Sequence, residues 1–394
     1  LGTGDVVPVA VQPDSNHLAI RELARRFAQS EIAPFAAQWD RDAVFPSEAI
    51  RKMAEVGLLG MTAPAEFGGS DASAVSLAIA VEEIARADAS CALVLSMANS
   101  LSVLCLMHYG TPEQRSQWLP RIVSGDCIAC VTLTEPQAGS NAAAIKATAI
   151  RRGDRYVLRG SKQFISLGSV SKLAFVFAMT DPGAGAKGIS CFLVPTDSKG
   201  FSVVRKEDKL GLRASDTCQI AFDDIEVPEV QMLGKPGQGY RIALHGLGAS
   251  RIGVAAQATG VADAALFAAS RYASERESFG RKIAEHQGVG FRLADMATQV
   301  QAARLLTRHA AELKDAGADY AVASSMAKLY AAEMCERVCS GAIQVFGGYG
   351  YMKDYPVERL YRDARVFQIY EGTSEMQRLI ISRSIAAGNL PSLS

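Results

Sequence analysis

Apolar positions recur at helical spacing from residue 14 to about 125, at strand spacing to about 228, and at helical spacing again thereafter. Asp14 or Ser15 can cap a first helix carrying Leu18, Ile20, Leu23 and Phe27. Pro46-Ser47-Glu48 opens a second with Ile50, Met53 and Leu58, and Thr111-Pro112-Glu113 opens a later one. Alternating or β-branched runs follow at 128–133, 155–158, 163–166, 173–179, 189–194, 201–205 and 218–222, separated by turns rich in Gly, Pro and Asp. Short strands with no helices between them predict an antiparallel barrel or sandwich of roughly one hundred residues. Amphipathic segments at 239–273, 285–314, 318–345, 356–367 and 374–387 predict a helical bundle. The expected fold class is α+β: an all-helical domain over 1–126, a β domain over 127–236 and a helical bundle over 237–394. That order lacks the alternating βα rhythm of a dinucleotide-binding Rossmann fold.

Composition adds exclusions. With 394 residues, 49% hydrophobic and 21% charged, the chain can bury two or three cores and is not expected to be disordered. Lys and Arg number 41 and Asp and Glu 41, so neither a phosphate-backbone binder nor a polybasic membrane anchor is suggested, and any anionic ligand must be met locally. Eight cysteines, mostly in apolar stretches, fit reduced thiols in a cytoplasmic protein. The first residues lack the pattern of a secretory signal and read in part as a disordered tail. Residues 89–108 carry no formal charge over the length of a membrane span, yet Ser90, Ser96, Asn99, Ser100 and Ser102 lie among them, so a buried helix is expected.

Two motifs lead nowhere. Gly183-Ala184-Gly185-Ala186-Lys187-Gly188 satisfies G-x-G-x-x-G but sits in a Pro-containing loop between two predicted strands and reads as a hairpin connection. Cys127 and Cys130 form a lone C-x-x-C without a second pair, and the five histidines show no metal-ligand spacing.

The stretch that carries chemistry lies near the C-terminus. Ser374 and Gln377 have capping-box spacing, and Met376, Leu379 and Ile380 continue at helical period, which places Glu371 and Gly372 just outside a helix. A lone Glu is ordinarily a solvated surface residue. On a Gly-relieved loop beside unpaired N–H groups, however, it can take a proton while those groups hold a developing oxyanion. A second stretch, Thr132 to Asn141, is a strand running into a turn whose hydroxyls and N–H groups can meet a polar cofactor. Phe164, inside a predicted strand, would by default be core.

Residues 361–383 (YRDARVFQIYEGTSEMQRLIISR) resemble the C-terminal signature of the acyl-CoA dehydrogenases, and further stretches match that family in order. By that resemblance Thr134 binds flavin and Ser140 touches flavin and thioester in TLTEPQAGSN. In GSKQFIS, Phe164 lies over the flavin ring and Ser166 bonds to it, where the family typically has Trp and Thr. Residues 209–228 are similar to the run leading out of the family's β domain, and Arg251 matches an Arg of the active-site helix. Arg276, Phe279 and Gln287 are assigned to FAD across a subunit boundary, together with Gln344, Gly348, Thr373 and Glu375.

The resemblance covers about residues 15–387 and implies a homotetrameric FAD enzyme. Glu371 would remove the proton α to the thioester carbonyl as the β-hydride moves to flavin, and the Glu371–Gly372 loop would sit against the substrate. The Glu371 N–H and a ribityl hydroxyl would polarise the carbonyl; the product would be a trans-2-enoyl-CoA, and an electron-transferring flavoprotein would take the electrons. Some members carry the base immediately before the helix Arg; Ser250 stands there, leaving Glu371 as the matching carboxylate. Asn141 and Gly248 replace acids common in the family, the latter near the pantetheine arm. Residues 96–101 look like short-chain members, GSKQFIS is similar to the short branched-chain type, and the Arg expected near Ala92 in a glutaryl-type enzyme is absent, which points to a short acyl-CoA, straight or branched. The alternatives are a flavin oxidase, monooxygenase or thioester desulfinase on the same scaffold, and a non-catalytic acyl-CoA-binding protein.

Overall fold

The computed structural model describes residues 14–388, so the stretch read as a disordered tail lies largely outside the described residues. Asp14 caps helix α1 (Ser15–Phe27) by accepting the Asn16 N–H at 3.1 Å. Helices α2 (Ala36–Asp42), α3 (Ser47–Glu55), α4 (Ala74–Ala85), α5 (Ala89–Met97), α6 (Leu104–Tyr109) and α7 (Pro112–Val123) complete the N-terminal block. Thr111 and Gln114 close a reciprocal capping box on α7. The charge-free stretch becomes α5, a π-helical segment (Ala98–Val103) and α6, packed in the core as expected. Its polar atoms are satisfied there: Asn99 Nδ2 donates to the Leu58 and Leu95 carbonyls, each at 3.0 Å, and Asn99 Oδ1 accepts the Thr62 N–H at 3.0 Å.

The middle of the chain forms one eight-stranded sheet from β1 (Ala129–Thr132), β2 (Thr148–Arg152), β3 (Arg155–Ser166), β4 (Leu173–Met179), β5 (Ile189–Pro195), β6 (Phe201–Lys206), β7 (Thr217–Pro228) and β8 (Met232–Leu233). Its order is β6-β7-β3-β2-β4-β5-β8, with β1 also on β4. The expected antiparallel pairing holds except along one edge of β4, where β1 and the end of β2 both pair in parallel. Between β1 and β4 the chain makes the β2–β3 hairpin, the long crossover that parallel neighbours require. The predicted runs 155–158 and 163–166 are one strand, bent by bulges at Gly160 and between Lys162 and Ile165. Strand β2 escaped notice because TAIRR has neither a β-branched run nor clean alternation. The G-x-G-x-x-G segment is a short 3₁₀ connection from β4 to β5.

Helix α8 (Gly239–Glu275) then runs through the molecule, followed by the two-stranded turn β9 (Glu277–Ser278) and β10 (Arg281–Lys282), α9 (Gln287–Asp315), α10 (Ala321–Phe346), α11 (Val357–Ala364) and α12 (Ser374–Ala386). Helices α4, α5, α8, α9 and α10 share one hydrophobic core, so the two helical blocks are fused. A Cβ at Gly260 would lie 2.2 Å from the Glu82 carbonyl oxygen, which is why α8 and α4 can cross so closely. Arg304 of α9 binds Glu82 of α4 at 2.6 Å and Asp263 of α8 at 3.3 Å, tying the three helices together. This packing holds the middle of α8 against the loop that precedes α12.

Candidate active site

The loop before α12 turns through two left-handed residues, Glu371 (φ 56°) and Gly372 (φ 90°). Glycine adopts that conformation freely, whereas for Glu371 it costs on the order of 1 kcal/mol and has to be held by contacts. The cap lies one residue earlier than the sequence pattern suggests. Thr373 Oγ1 accepts the Met376 N–H at 3.3 Å, and Ser374 is the first helical residue. Gln377 does not complete a capping box; its Nε2 donates to the Gly372 carbonyl at 2.8 Å.

Three other elements grip this corner. Ser250 of α8 donates from its hydroxyl to the Glu371 carboxylate and also faces the Leu247 carbonyl at 3.1 Å. Tyr370 donates to Gln257 Oε1 at 2.5 Å, and Gln257 Nε2 donates to the Ala89 carbonyl at 2.5 Å, which anchors the loop to α8 and α5. From α10, the fully buried Lys328 donates to the Gly372 carbonyl at 2.6 Å. The Glu371 N–H makes no hydrogen bond among the described residues and remains available to a ligand.

Burial pushes the Glu371 carboxyl above its ordinary value, while the Ser250 hydrogen bond and the charges of Arg251 and Lys328 pull it back. Burial pushes Lys328 down to about 8 against the pull of Glu371. Arg251 is buried, its pKa is lowered by desolvation and countered by Glu371, and its Nε has no hydrogen-bond partner. A half-buried carboxylate with two nearby cations and a free N–H is suited to remove a proton beside a carbonyl.

Thr134, Phe164 and Ser166 lie together where β1 meets β3. The Thr134 carbonyl accepts the Gln163 N–H at 2.9 Å, and Ser166 pairs with Thr217 on β7. The bulge after Lys162 gives Phe164 a left-handed backbone (φ 58°) and leaves the residue 64% exposed. The default reading of this aromatic as core is therefore overturned. Beneath it, the buried Lys162 donates to Glu135 at 2.8 Å and to the Leu133 and Phe177 carbonyls at 3.2 and 2.7 Å. Glu135 in turn accepts the Lys146 and Ala147 N–H groups at 2.6 and 2.9 Å, which fixes the turn that carries the exposed Ser140 and Asn141.

Arg276, Phe279, Gln287, Gln344 and Gly348 belong to a separate surface. Arg276 ends α8 with its guanidinium 5.9 Å from the centre of the Tyr349 ring, and shares a groove with Gly347 and Gly348. Phe279 is 95% exposed, and Gln287 and Gln344 are exposed nearby in the chain at the start of α9 and the end of α10. At 1.5 Å per helical residue, Arg251 and Arg276 are roughly 37 Å apart along α8. Thr373 and Glu375 stay with the Glu371 corner, Glu375 on its exposed side. At the other end of α8 a groove is lined by Tyr109, Lys187, Tyr240, Arg241 and His245. Gly248, between this groove and Ser250, leaves open space where an acid is common in the resembled family, with only Tyr320 within 4 Å of a would-be Cβ.

Sequence models of the acyl-CoA dehydrogenase N-terminal, middle and C-terminal domains match residues 14–126, 130–225 and 237–386. The chain belongs to the acyl-CoA dehydrogenase family. It is an oxidoreductase with the acyl-CoA dehydrogenase fold of helical, β-sheet and helical domains. It is 46% identical to an acyl-CoA dehydrogenase of Bacillus subtilis, over 94% of this chain and 97% of that one. It is 44% identical to the mouse mitochondrial short-chain specific acyl-CoA dehydrogenase, over 95% and 90%. A solved structure described as an electron transferring flavoprotein of Acidaminococcus fermentans superposes with a TM-score of 0.93 at 42% identity, covering 94% of this chain and 98% of that chain.

The family implies FAD, and the residues present fit it. Two rings, Phe164 and Phe279, face solvent, Arg276 makes no salt bridge among the described residues, and a Cβ at Gly348 would meet open space. No group of three or more metal-ligating side chains occurs among the described residues. Sequence reasoning missed Lys328, Lys162 and Gln377. The available signal was phase: Lys328 falls on the same stripe of α10 as the buried Ala327, Ala331 and Cys335.

Proposed function

We propose that this acyl-CoA dehydrogenase oxidises short acyl-CoA thioesters to trans-2-enoyl-CoAs, with Glu371 as the base that removes the α-proton. The observation that carries this is the Glu371 corner: a carboxylate bonded by Ser250, near Arg251 and Lys328, next to its own unpaired N–H. That N–H donates to the thioester carbonyl oxygen and favours enolate character as the α-proton leaves for the carboxylate. FAD, when bound, supplies the acceptor for the hydride lost from Cβ. Thr134, Phe164 and Ser166 orient it, with Ser140 between cofactor and thioester, while Thr373 and Glu375 flank the base.

Lys187 and Arg241 give the groove at the start of α8 a cationic rim, and Tyr109 and Tyr240 give it flat faces, which suits a nucleotide phosphate. From Arg241 to Ser250 the helix rises roughly 14 Å. An extended pantetheine arm passing Gly248 bridges that span. The Arg276 group lies farther from the Glu371 corner than one dinucleotide reaches, so it serves the cofactor of a neighbouring subunit, in a homotetramer. Electrons pass to an electron-transferring flavoprotein, a reading supported by the Acidaminococcus relative, and the buried free thiols suit a cytoplasmic setting.

Short acyl groups are supported by the short-chain specific relative and by α5, which buries Ala92 among apolar neighbours and offers no cation to an ω-carboxylate. Turnover of straight and branched four- to six-carbon acyl-CoAs against glutaryl-CoA tests this. A preference for glutaryl-CoA would overturn it.

A further inference from the structure

The reading of Glu371 as base leaves one buried charge without a task. Lys328 sits in the middle of α10 with its side chain fully buried. It makes no salt bridge among the described residues, and its hydrogen bond goes to the Gly372 carbonyl at 2.6 Å. A buried ammonium without a bonded carboxylate is expensive, and methionine would fill the same volume without that cost.

We propose that Lys328 is the positioning residue of the base: bound to the Gly372 carbonyl, its ammonium fixes the left-handed Glu371–Gly372 corner and adds to Arg251 a second positive charge that favours the ionised Glu371 carboxylate. Gln377 also donates to that carbonyl, at 2.8 Å, so a hydrogen bond alone does not require a lysine. What Gln377 cannot supply is charge. The charged groups that act on Lys328 are Glu371 and Glu375 on the loop and α12, and Arg251 on α8. Both cations sit on helices, but among the described residues Lys328 is the one that bonds the loop backbone, at the Gly372 carbonyl, so it couples the orientation of Glu371 to its charge. Burial lowers the ammonium to about 8, which leaves it mostly charged at pH 7.

The proposal rests on Glu371 being the base, but its test needs no substrate. The pH-dependent infrared carboxyl band of the flavin-loaded protein, assigned to Glu371 by its loss in Glu371→Gln, reads the ionisation directly. In Lys328→Met this titration is expected about one pH unit higher, in Lys328→Arg close to wild type, and in Gln377→Met unchanged. If Lys328→Met does not accumulate, Lys328→Gln, which keeps a donor and loses the charge, gives the same reading. An unmoved titration in the neutral variants, or an equal shift in Gln377→Met, overturns the proposal. Bleaching of the wild-type flavin by short acyl-CoAs judges the dehydrogenase reading separately.

Discussion

Ser250 donates a hydrogen bond to the Glu371 carboxylate across 121 positions of sequence. Its single proton faces two acceptors, the carboxylate and the Leu247 carbonyl. When Glu371 is ionised the hydroxyl donates to it. After proton uptake Glu371 can donate to Ser250, which then turns to Leu247, so both states of the base are satisfied.

Ser250→Ala removes one of the effects that oppose desolvation of Glu371 and therefore lets its pKa rise further. Because the ionised form does the work, the acidic limb of kcat/KM should move up by about one pH unit. A pH–rate profile of holoenzyme checks this; an unmoved limb would show that Ser250 does not act on the base.

The same contact allows the base to be moved. Glu371→Gln should lower turnover by about 10² to 10⁴-fold while retaining FAD. Adding Ser250→Glu places a carboxylate on α8 beside the same position. The double variant should recover part of the lost flavin reduction, measured by stopped-flow absorbance.

Lys162 and Glu135 are a buried pair, and removing one partner strands the other. Lys162→Met should cost about 3–5 kcal/mol in urea unfolding and loosen the Thr134 turn. Burial raises the Glu135 carboxyl, but Lys162 and the Lys146 and Ala147 N–H groups outweigh it and hold it below its ordinary value. Its stabilisation is therefore full above the ordinary carboxylate range and lost as pH falls through the depressed folded value. Wild type should lose stability on acidification through that window more steeply than Glu135→Gln.

Much of the fold was legible because period is a direct imprint of burial. The switch from 3.6 to 2 at residue 126 and back placed the long helices within a few residues. The parallel edge of β4 and the bulges of β3 were not legible, since they depend on partners distant in sequence. At the site, Glu371 stood out through its Gly and helix-start context together with the family resemblance of residues 361–383. Lys328, Gln377 and the service of Ser250 depend on α8, α10 and α12 meeting, which no local pattern records. Period alone would have made Phe164 core, because a bulge reverses its face; it was the family resemblance that marked it as a cofactor residue.

Phe279 supplies a check on the subunit boundary. With Phe279 95% exposed in the single chain, Phe279→Ala should leave the unfolding free energy of the apoprotein within about 0.5 kcal/mol of wild type. FAD retention during gel filtration should nonetheless fall several-fold, as expected of a ring that packs on a neighbour's cofactor. Unchanged retention would place Phe279 outside the cofactor site.

The most direct measurement is anaerobic titration of the flavin-loaded protein with a panel of short acyl-CoAs, followed by visible absorbance, with Glu371→Gln beside wild type. Wild type should be bleached by straight or branched short thioesters at near-stoichiometric amounts, and Glu371→Gln should bind them and stay oxidised. A wild-type flavin that no thioester bleaches, or a Glu371→Gln variant reduced as fast as wild type, would contradict Glu371 as the base of a short-chain acyl-CoA dehydrogenase.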